Sequence, residues 1–262
     1  MRYHYQVSAF HDYSGCYYVR VRFLAELGLI RWIMPSDETG GCNRAPRHLR
    51  VRPGKVRALV PEYPVRSGWE LENAPAEIAT LEGLFGAVER VPSDFSAIKG
   101  VLTGGDFDVF HYAGHGTGDS SQIGDEALVL NVERGSGGWL PGASFRAQDV
   151  VSHAMLSETP CAEHRPIVLL NCCETGRSGY TLTSIGGLAS AFVGAGAGVL
   201  ISPLWSVDDV AAAEFSRAFY GALKSGATLA EAARTARAAI KSSGDQTWLA
   251  YTVYGEPTAR LS

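Results

Sequence analysis

The chain has 262 residues, of which 46% are hydrophobic and 19% are charged. This composition supplies enough apolar material for a sizeable core and excludes a disordered protein. The formal net charge of -4 argues against direct binding of nucleic acid, because polyanion-binding proteins usually carry an excess of basic residues. The N-terminus has no apolar run typical of a signal peptide, so we expect a cytoplasmic protein.

Residues 1–53 differ in pattern from the rest of the chain. Residues 17–23 alternate partly between apolar and polar side chains, and residues 44–57 are rich in basic residues and proline. We expect two or three strands and a linker here. Strand-like and helix-like segments alternate after about Pro53. We therefore predict an N-terminal extension over residues 1–53 and one domain over residues 54–262.

The domain is predicted to alternate between strands and helices. The predicted strands cover residues 56–60, 107–112, 127–130, 166–170, 199–201 and 248–254. The predicted helices cover residues 76–85, 93–102, 188–193, 210–224 and 228–242. Ser93 is the expected N-cap of the second helix, and Ser206 with Asp209 and Thr228 with Glu231 are expected capping boxes. Mostly apolar strands predict a mostly parallel α/β sheet with helices on both faces.

A stretch without charged side chains extends from residue 178 to residue 207. Its length is compatible with a membrane-spanning helix, but glycines and Pro203 interrupt it. We interpret it as a short buried helix followed by a buried strand. Gly194, Gly196 and Gly198 lead into that strand, whereas a dinucleotide-binding loop leads into a helix. We predict no membrane span and no cofactor.

The five cysteines follow no regular spacing. They are Cys16, Cys42, Cys161, Cys172 and Cys173. This excludes a disulfide framework and a zinc ribbon. His111 and His115 are four residues apart, but no third and fourth ligand with metal-site spacing accompanies them, so we predict no metal. We assign His111 a structural role on its strand, with a secondary role at the site as the alternative.

Two predicted strands lead into side chains suited to nucleophilic catalysis. Ligands of open α/β sheets bind at the carboxyl ends of the strands. One strand runs into His115 between glycines, and another delivers Cys172 and Cys173 into a polar turn. A thiolate nucleophile needs an imidazole nearby to take its proton. Adjacent residues of a strand face opposite sides, so we expect one cysteine to be buried and the other exposed.

Longer motifs occur in a fixed order around these residues. They are HYAGHG (111–116), LLNCCETG (169–176), GGLASAFVGAGAGVLISPLWSVDD (186–209), EFSRAFYGAL (214–223) and WLAYTVYGEP (248–257). Together they resemble the CHAT family, which are caspase-like peptidases in the clan of caspases, gingipains and separases. The resemblance covers roughly residues 56–258 and implies a caspase-like fold.

The resemblance also implies a Cys–His dyad that cuts peptide bonds through an acyl-enzyme. The family's histidine falls on His115 and its cysteine on Cys173, because residues 172–176 match its small residue-Cys-Glu-Thr-Gly motif. The amides of Gly116 and Cys173 are then expected to form the oxyanion hole. The implied partners are a protein substrate and an upstream regulatory protein or domain, in a bacterial regulatory or antiviral defence pathway.

The S1 pocket is expected beside residues 202–208. Its candidate residues are Ser202, Trp205, Ser206 and Asp208. Separases carry an acidic residue directly after the tryptophan, which receives a basic P1 side chain, and here that position is Ser206. Asp208 either supplies an acidic pocket floor or caps the following helix, which leaves a pocket for an apolar P1. We favour a small or apolar P1.

Other functions stay open at this point. A non-catalytic protein-binding module on the same fold is the alternative, and a hydrolase of small thioesters or amides is a third hypothesis. The presence of both His115 and Cys173 favours the peptidase. We expect low activity without an activator, with the glycine-rich segments 135–138 and 176–179 as candidate switch loops or ordinary turns.

Overall fold

The computed structural model describes residues 5–11, 17–31, 45–117, 126–159, 165–174, 184–241 and 246–262. At residues 5–11, 17–23, 173–174 and 184–186 it describes the backbone alone. Cys16, Cys42 and Cys161 lie outside the described residues, and so does the candidate switch segment 176–179.

A mostly parallel sheet forms the centre of the described structure. The strands are β1 (Tyr5–His11), β2 (Tyr17–Phe23), β3 (His48–Leu49), β4 (Val56–Leu59), β5 (Val88–Arg90), β6 (Val109–Thr117), β7 (Ala127–Val129), β8 (Val132–Gly135), β9 (Gly138–Pro141), β10 (Ser144–Arg146), β11 (Ile167–Glu174), β12 (Val199–Pro203), β13 (Tyr251–Tyr254) and β14 (Arg260–Leu261). The central sheet has the order β10-β7-β6-β11-β12-β13, and β4 with β5 also joins β6. The pairs among β5, β4, β6, β11 and β12 are parallel, whereas β7, β10 and β13 are antiparallel to their neighbours.

Helices cover both faces of this sheet. They are α1 (Ala74–Phe85), α2 (Phe95–Gly104), α3 (Ala147–His153), α4 (Ser184–Ala195), α5 (Asp209–Lys224), α6 (Leu229–Ile240) and α7 (Thr247–Ala250). Val109, Ile167 and Leu169 pack in one core with α1, α5 and α6, and we call this side the α5 face. Phe110 and Val168 pack with α2, α3 and α4 on the opposite side, the α4 face. The predicted α/β sheet with helices on both faces is confirmed.

Both strands that carry the candidate catalytic residues are longer than the sequence indicated. The expectation that the glycines around His115 break β6, and that Cys172 and Cys173 lie in a turn, is wrong: β6 continues to Thr117 and β11 to Glu174. Pairing between the two strands explains their extra length. β6 and β11 stay in register through eight residue pairs, from Ile167 with Val109 to Glu174 with Gly116. Pairing with β11 thus keeps extended the two glycines that alone favour a turn.

Two of the predicted helix caps differ from those in the structure. An N-cap directly precedes the helix, and α2 begins after Asp94, whose Oδ1 accepts a hydrogen bond from the Ala97 amide at 2.9 Å, so the expectation of Ser93 is wrong. Helix α5 begins after Asp208, so Ser206 is not part of a capping box. The capping box of Thr228 with Glu231 is confirmed. Residues 247–250 form α7, so the predicted last strand begins only at Tyr251.

The uncharged stretch divides as expected into α4 and β12, with Gly196 at a positive φ of 120° between them. Among the described residues, no helix has both the length and the apolar character required to cross a membrane.

Strands β1 and β2, within the predicted N-terminal extension, pair as an antiparallel hairpin that is followed by a 3-10 turn at Leu24–Leu27. The Arg237 guanidinium of α6 donates hydrogen bonds to the carbonyl of Leu29 at 3.3 Å and to that of Tyr251 at 2.9 Å. Burial lowers the pKa of Arg237 to about 10. Arg52 pairs with the fully buried Asp108 at 2.7 Å, at the start of β6. The segments around residues 24–31 and 48–52 are thus tied to the central sheet.

Candidate active site

The register of two neighbouring strands brings the predicted dyad positions together. Cys173 on β11 is the register partner of His115 on the adjacent parallel strand β6. Neighbouring strands of a sheet lie about 4.8 Å apart. Both positions continue the alternation of Val109 and Leu169, which places them on the α5 face. Positions 115 and 173, which are 58 residues apart in the sequence, therefore meet at the carboxyl end of the sheet.

Cys172 occupies the opposite face. It is half-buried and packs against the core of the α4 face. A Cβ added to Gly116 would lie 3.0 Å from the Cβ of Cys172, so these two positions share that face. Gly116 itself lies within β6 and pairs with Glu174 of β11 and Leu128 of β7.

The His115 imidazole is held by the segment that follows β4. The side chain is 4% exposed, and its Nε2 lies 2.7 Å from the carbonyl oxygen of Trp69. The ring centroids of Tyr63 and Trp69 each lie 5.0 Å from the centroid of the imidazole. A carbonyl oxygen only accepts hydrogen bonds, so Nε2 carries the proton and Nδ1 is the basic nitrogen of the neutral ring. Nδ1 is buried and has no hydrogen-bond partner among the described residues.

A buried polar cluster lies below this position on the α5 face. The Glu77 carboxylate of α1 accepts hydrogen bonds from Asn171 Nδ2 at 2.9 and 3.0 Å and from Ser216 Oγ at 2.5 Å. Its Oε2 also lies 3.1 Å from His111 Nε2. Tyr251 donates a hydrogen bond to Asn171 Oδ1 at 2.7 Å. The cluster joins β6 and β11 to α1, α5 and β13, which agrees with a structural role for His111.

The candidate S1 residues are divided between different environments. Ser202 is 2% exposed and alternates with Ile201, so it lies on the α4 face. Trp205 packs against the core of the α5 face, and Ser206 is exposed. Asp208 is the N-cap of α5, and its Oδ1 accepts hydrogen bonds from two backbone amides of the first turn, at 3.0 and 3.1 Å. Of the four, Trp205 is the residue on the same face as His115 that presents an apolar surface.

The sequence pattern of the CHAT domain family matches residues 22–256. The chain belongs to the CHAT family. No curated protein sequence matches the chain. The match includes residues 22–53, and the boundary between the extension and the CHAT domain stays a prediction.

Solved structures show which fold this CHAT domain has. The Arg specific cysteine proteinase gingipain R (RgpB) matches with a TM-score of 0.50 and 15% identity over 78% of this chain and 47% of that chain. This chain thus spans about half the length of the gingipain chain. The separase–securin complex of Saccharomyces cerevisiae matches with a TM-score of 0.45 and 14% identity, over 80% of this chain and 12% of that chain. The likeness to gingipain confirms the predicted caspase-like fold.

Several residues of this CHAT domain site were not found from the sequence. Trp69 and Tyr63 lie between β4 and α1. The one sequence signal for their place at the site was that they are aromatic residues in the segment that follows the carboxyl end of a strand. Asp209 accepts hydrogen bonds from the Asn73 amide at 2.6 Å and from Asn73 Nδ2 at 3.0 Å, which fixes the end of the same segment to α5. Glu77 stands on the buried stripe of α1 and was the one acidic residue there.

Proposed function

We propose that this CHAT domain is a cysteine endopeptidase that cleaves a protein partner through His115 and Cys173. The supporting observation is the pairing of position 173 with a histidine whose Nδ1 is unpartnered among the described residues while its Nε2 is engaged. An imidazole oriented in this way has its basic nitrogen available for the thiol proton. The peptidase-like fold supports the same conclusion.

The reaction proceeds through an acyl-enzyme. His115 Nδ1 accepts the proton of the Cys173 thiol, and the thiolate attacks the scissile carbonyl carbon. The amides of Gly116 and Cys173 are the proposed oxyanion donors, and to serve as such both must turn out of the β6–β11 pairing when substrate binds. The imidazolium returns its proton to the leaving amine as the peptide bond breaks, and water then hydrolyses the thioester with His115 as the base. The Trp69 carbonyl keeps the ring in one orientation and interacts favourably with the imidazolium.

The test of this function is a search for cut proteins. Cells that express the chain are compared with cells that express Cys173→Ala, and new protein N-termini are identified by mass spectrometry. We expect a small set of N-termini that occurs only with the unsubstituted chain. Identical sets, together with retained binding of a protein partner, would instead support the non-catalytic binding module.

We further propose that the peptidase acts in a bacterial regulatory or antiviral defence pathway and is controlled by an upstream protein or domain. The CHAT family membership motivates this proposal. Gly135 pairs with Gly138 around a two-residue turn of the β8–β9 hairpin, which favours an ordinary turn at residues 135–138 and leaves 176–179 as the preferred candidate switch segment. We expect the purified chain to cleave its substrate slowly until the activator is added. Full activity of the purified chain without an activator would contradict this control.

The substrate preference that we propose is a small or apolar P1 residue. Asp208 is already engaged with the amides of α5, so it is a poor partner for a basic P1 side chain, and Trp205 offers an apolar wall. Peptide-library profiling should therefore give cleavage after small or apolar residues. Asp208→Ala should keep that profile and lower the free energy of unfolding by about 1 kcal/mol, the usual cost of losing an N-cap.

Asp94→Ala is the matched control for that variant, because Asp94 caps α2 and lies away from the proposed pocket. It should reduce stability to a similar extent without any change in the profile. Strong cleavage after arginine that is lost in Asp208→Ala and kept in Asp94→Ala would identify Asp208 as the specificity residue and contradict the apolar choice.

A further inference from the structure

The strand that carries His115 has a gap in its pairing on one side. β11 pairs with β6 along residues 109–116. On the other side, β4 pairs with β6 as far as Tyr112, and β7 begins at Gly116. Within the described part of the chain, residues 113–115 therefore have no strand beside them on that side. A buried backbone N–H or carbonyl left without a partner costs stability, so this gap requires other hydrogen-bonding groups.

Two tyrosine hydroxyls occupy the gap. The backbone N–H of His115 donates a hydrogen bond to the Tyr63 hydroxyl at 3.1 Å, and the Tyr112 hydroxyl donates to the His115 carbonyl at 2.7 Å. The same hydroxyls lie 2.9 and 2.8 Å from the carbonyl of Val129 on β7. Burial, and then the neighbouring Tyr63, raise the pKa of Tyr112 well above its usual value, so its hydroxyl keeps its proton. Both backbone groups of His115 are thus satisfied by side chains.

Gly114, the first glycine of the HYAGHG motif, makes this arrangement possible. Tyr112 reaches three residues along its own strand, and its side chain passes over Gly114. A Cβ on Gly114 would lie 2.5 Å from the Tyr112 hydroxyl oxygen and 2.6 Å from its Cζ. A side chain at position 114 is therefore incompatible with this position of the Tyr112 ring. Gly114 does not have a positive φ, so space and not backbone conformation requires a glycine here.

We propose that Tyr63 and Tyr112 are positioning residues for the dyad, whose hydroxyls replace the missing strand and fix the backbone of His115 opposite position 173. The proposal rests on the proposed function of His115 and Cys173. The two hydroxyls act through the His115 main chain. Tyr63 contributes in a second way, because its ring also packs against the imidazole.

The test measures how fast iodoacetamide alkylates Cys173 as a function of pH, with the site identified by peptide mapping. A thiol paired with an imidazole reacts at a lower pH than a free cysteine, whose pKa is about 8.5. Tyr63→Phe and Tyr112→Phe each remove one oxygen and keep the ring. We expect each to slow alkylation at neutral pH by about tenfold, the effect of losing one buried hydrogen bond, and to move the profile towards that of His115→Ala.

Tyr220→Phe is the matched control. Tyr220 is also fully buried, and its hydroxyl lies 3.3 Å from His111 Nδ1, one histidine earlier on the same strand. Its profile should stay that of the unsubstituted chain, although its melting temperature falls. This separates a loss of stability, which all three variants share, from a displaced imidazole. Should Tyr112→Phe fold poorly, Tyr63→Phe carries the test, because its segment is not part of the central sheet.

The outcomes distinguish this inference from the proposed function. Equal profiles for the unsubstituted chain and His115→Ala would reject the dyad itself. A profile that changes in His115→Ala but not in Tyr63→Phe or Tyr112→Phe would reject the positioning role and leave the dyad intact. A change in Tyr220→Phe as large as in the other two would also overturn it, since any buried hydroxyl would then have the same effect.

Discussion

Replacing Cys173 by alanine is expected to abolish substrate cleavage and covalent labelling by a peptide-directed electrophile. The loss should be at least about a thousandfold, because removal of a catalytic nucleophile leaves only the contribution of substrate binding and the oxyanion hole. Cys172→Ala is the matched control, since Cys172 packs against the core of the α4 face. It should retain most of the cleavage and the labelling. The measurements are turnover of a protein substrate and intact mass after labelling.

The reverse result would place the nucleophile one residue earlier. If Cys172→Ala were inactive and Cys173→Ala active, the assignment of the dyad to the α5 face would be wrong. His115→Ala should lose cleavage to a similar degree. It should also lower the melting temperature somewhat, because the rings of Tyr63 and Trp69 pack against the imidazole and would face a cavity. We therefore compare its activity at a temperature at which both proteins are folded.

Replacing Glu77 by alanine is expected to give the largest loss of stability of any substitution discussed. Glu77 is 2% exposed, and its carboxylate accepts hydrogen bonds from Asn171 and Ser216, beside His111. Its removal takes from Ser216 Oγ its acceptor and leaves Asn171 Nδ2 with the Ala212 carbonyl, to which it also donates, at 3.0 Å. Breaking such a buried network by removing one member costs about 3–5 kcal/mol. Denaturant unfolding followed by tryptophan fluorescence measures the change in the free energy of unfolding.

Glu82→Ala serves as the control on the same helix. Glu82 lies 3.5 Å from Arg90 in an exposed pair, and such pairs contribute about 0–1 kcal/mol. Glu77→Gln should fall between the two variants, because it keeps one acceptor oxygen but places an amide group against the donors of Asn171. A loss below about 1 kcal/mol for Glu77→Ala would show that the network relaxes around the vacancy and is not held by this carboxylate.

The parts of the fold that the sequence predicted correctly are those determined by local pattern. Residues 167–170 are apolar throughout and form a central parallel strand covered on both faces, as that pattern indicates. Thr228 and Glu231 are three residues apart, so their capping box depends on no other part of the chain. The ends of β6 and β11 were less predictable, because Gly114 and Gly116 favour a turn locally and pairing with β11, a segment distant along the chain, keeps them extended.

The candidate site shows the same division. His115 and Cys173 were proposed from motif resemblance, and their juxtaposition follows from the order of the strands. The contacts that orient His115 depend on segments distant along the chain: Trp69 lies 46 residues before it, and Asp209 lies 136 residues after Asn73. Periodicity carries no information on such pairs. The sequence left two roles open for Asp208, an acidic pocket floor or a helix cap. Helix α5 begins directly after Asp208, which shows that this residue acts as a cap.

The contact between His115 Nε2 and the Trp69 carbonyl has a consequence for how this site tolerates change. A main-chain oxygen cannot be titrated, and no replacement of the indole removes it, since every amino acid supplies the same carbonyl. This hydrogen bond therefore depends on the course of the backbone through position 69 and not on the side chain there, whereas the packing of the indole against the imidazole does depend on the tryptophan. No residue type in the sequence indicates such a main-chain contact. It depends on the length of the segment and on the contacts that fix its ends. For this hydrogen bond, an insertion or deletion between β4 and α1 would be more harmful than replacement of Trp69.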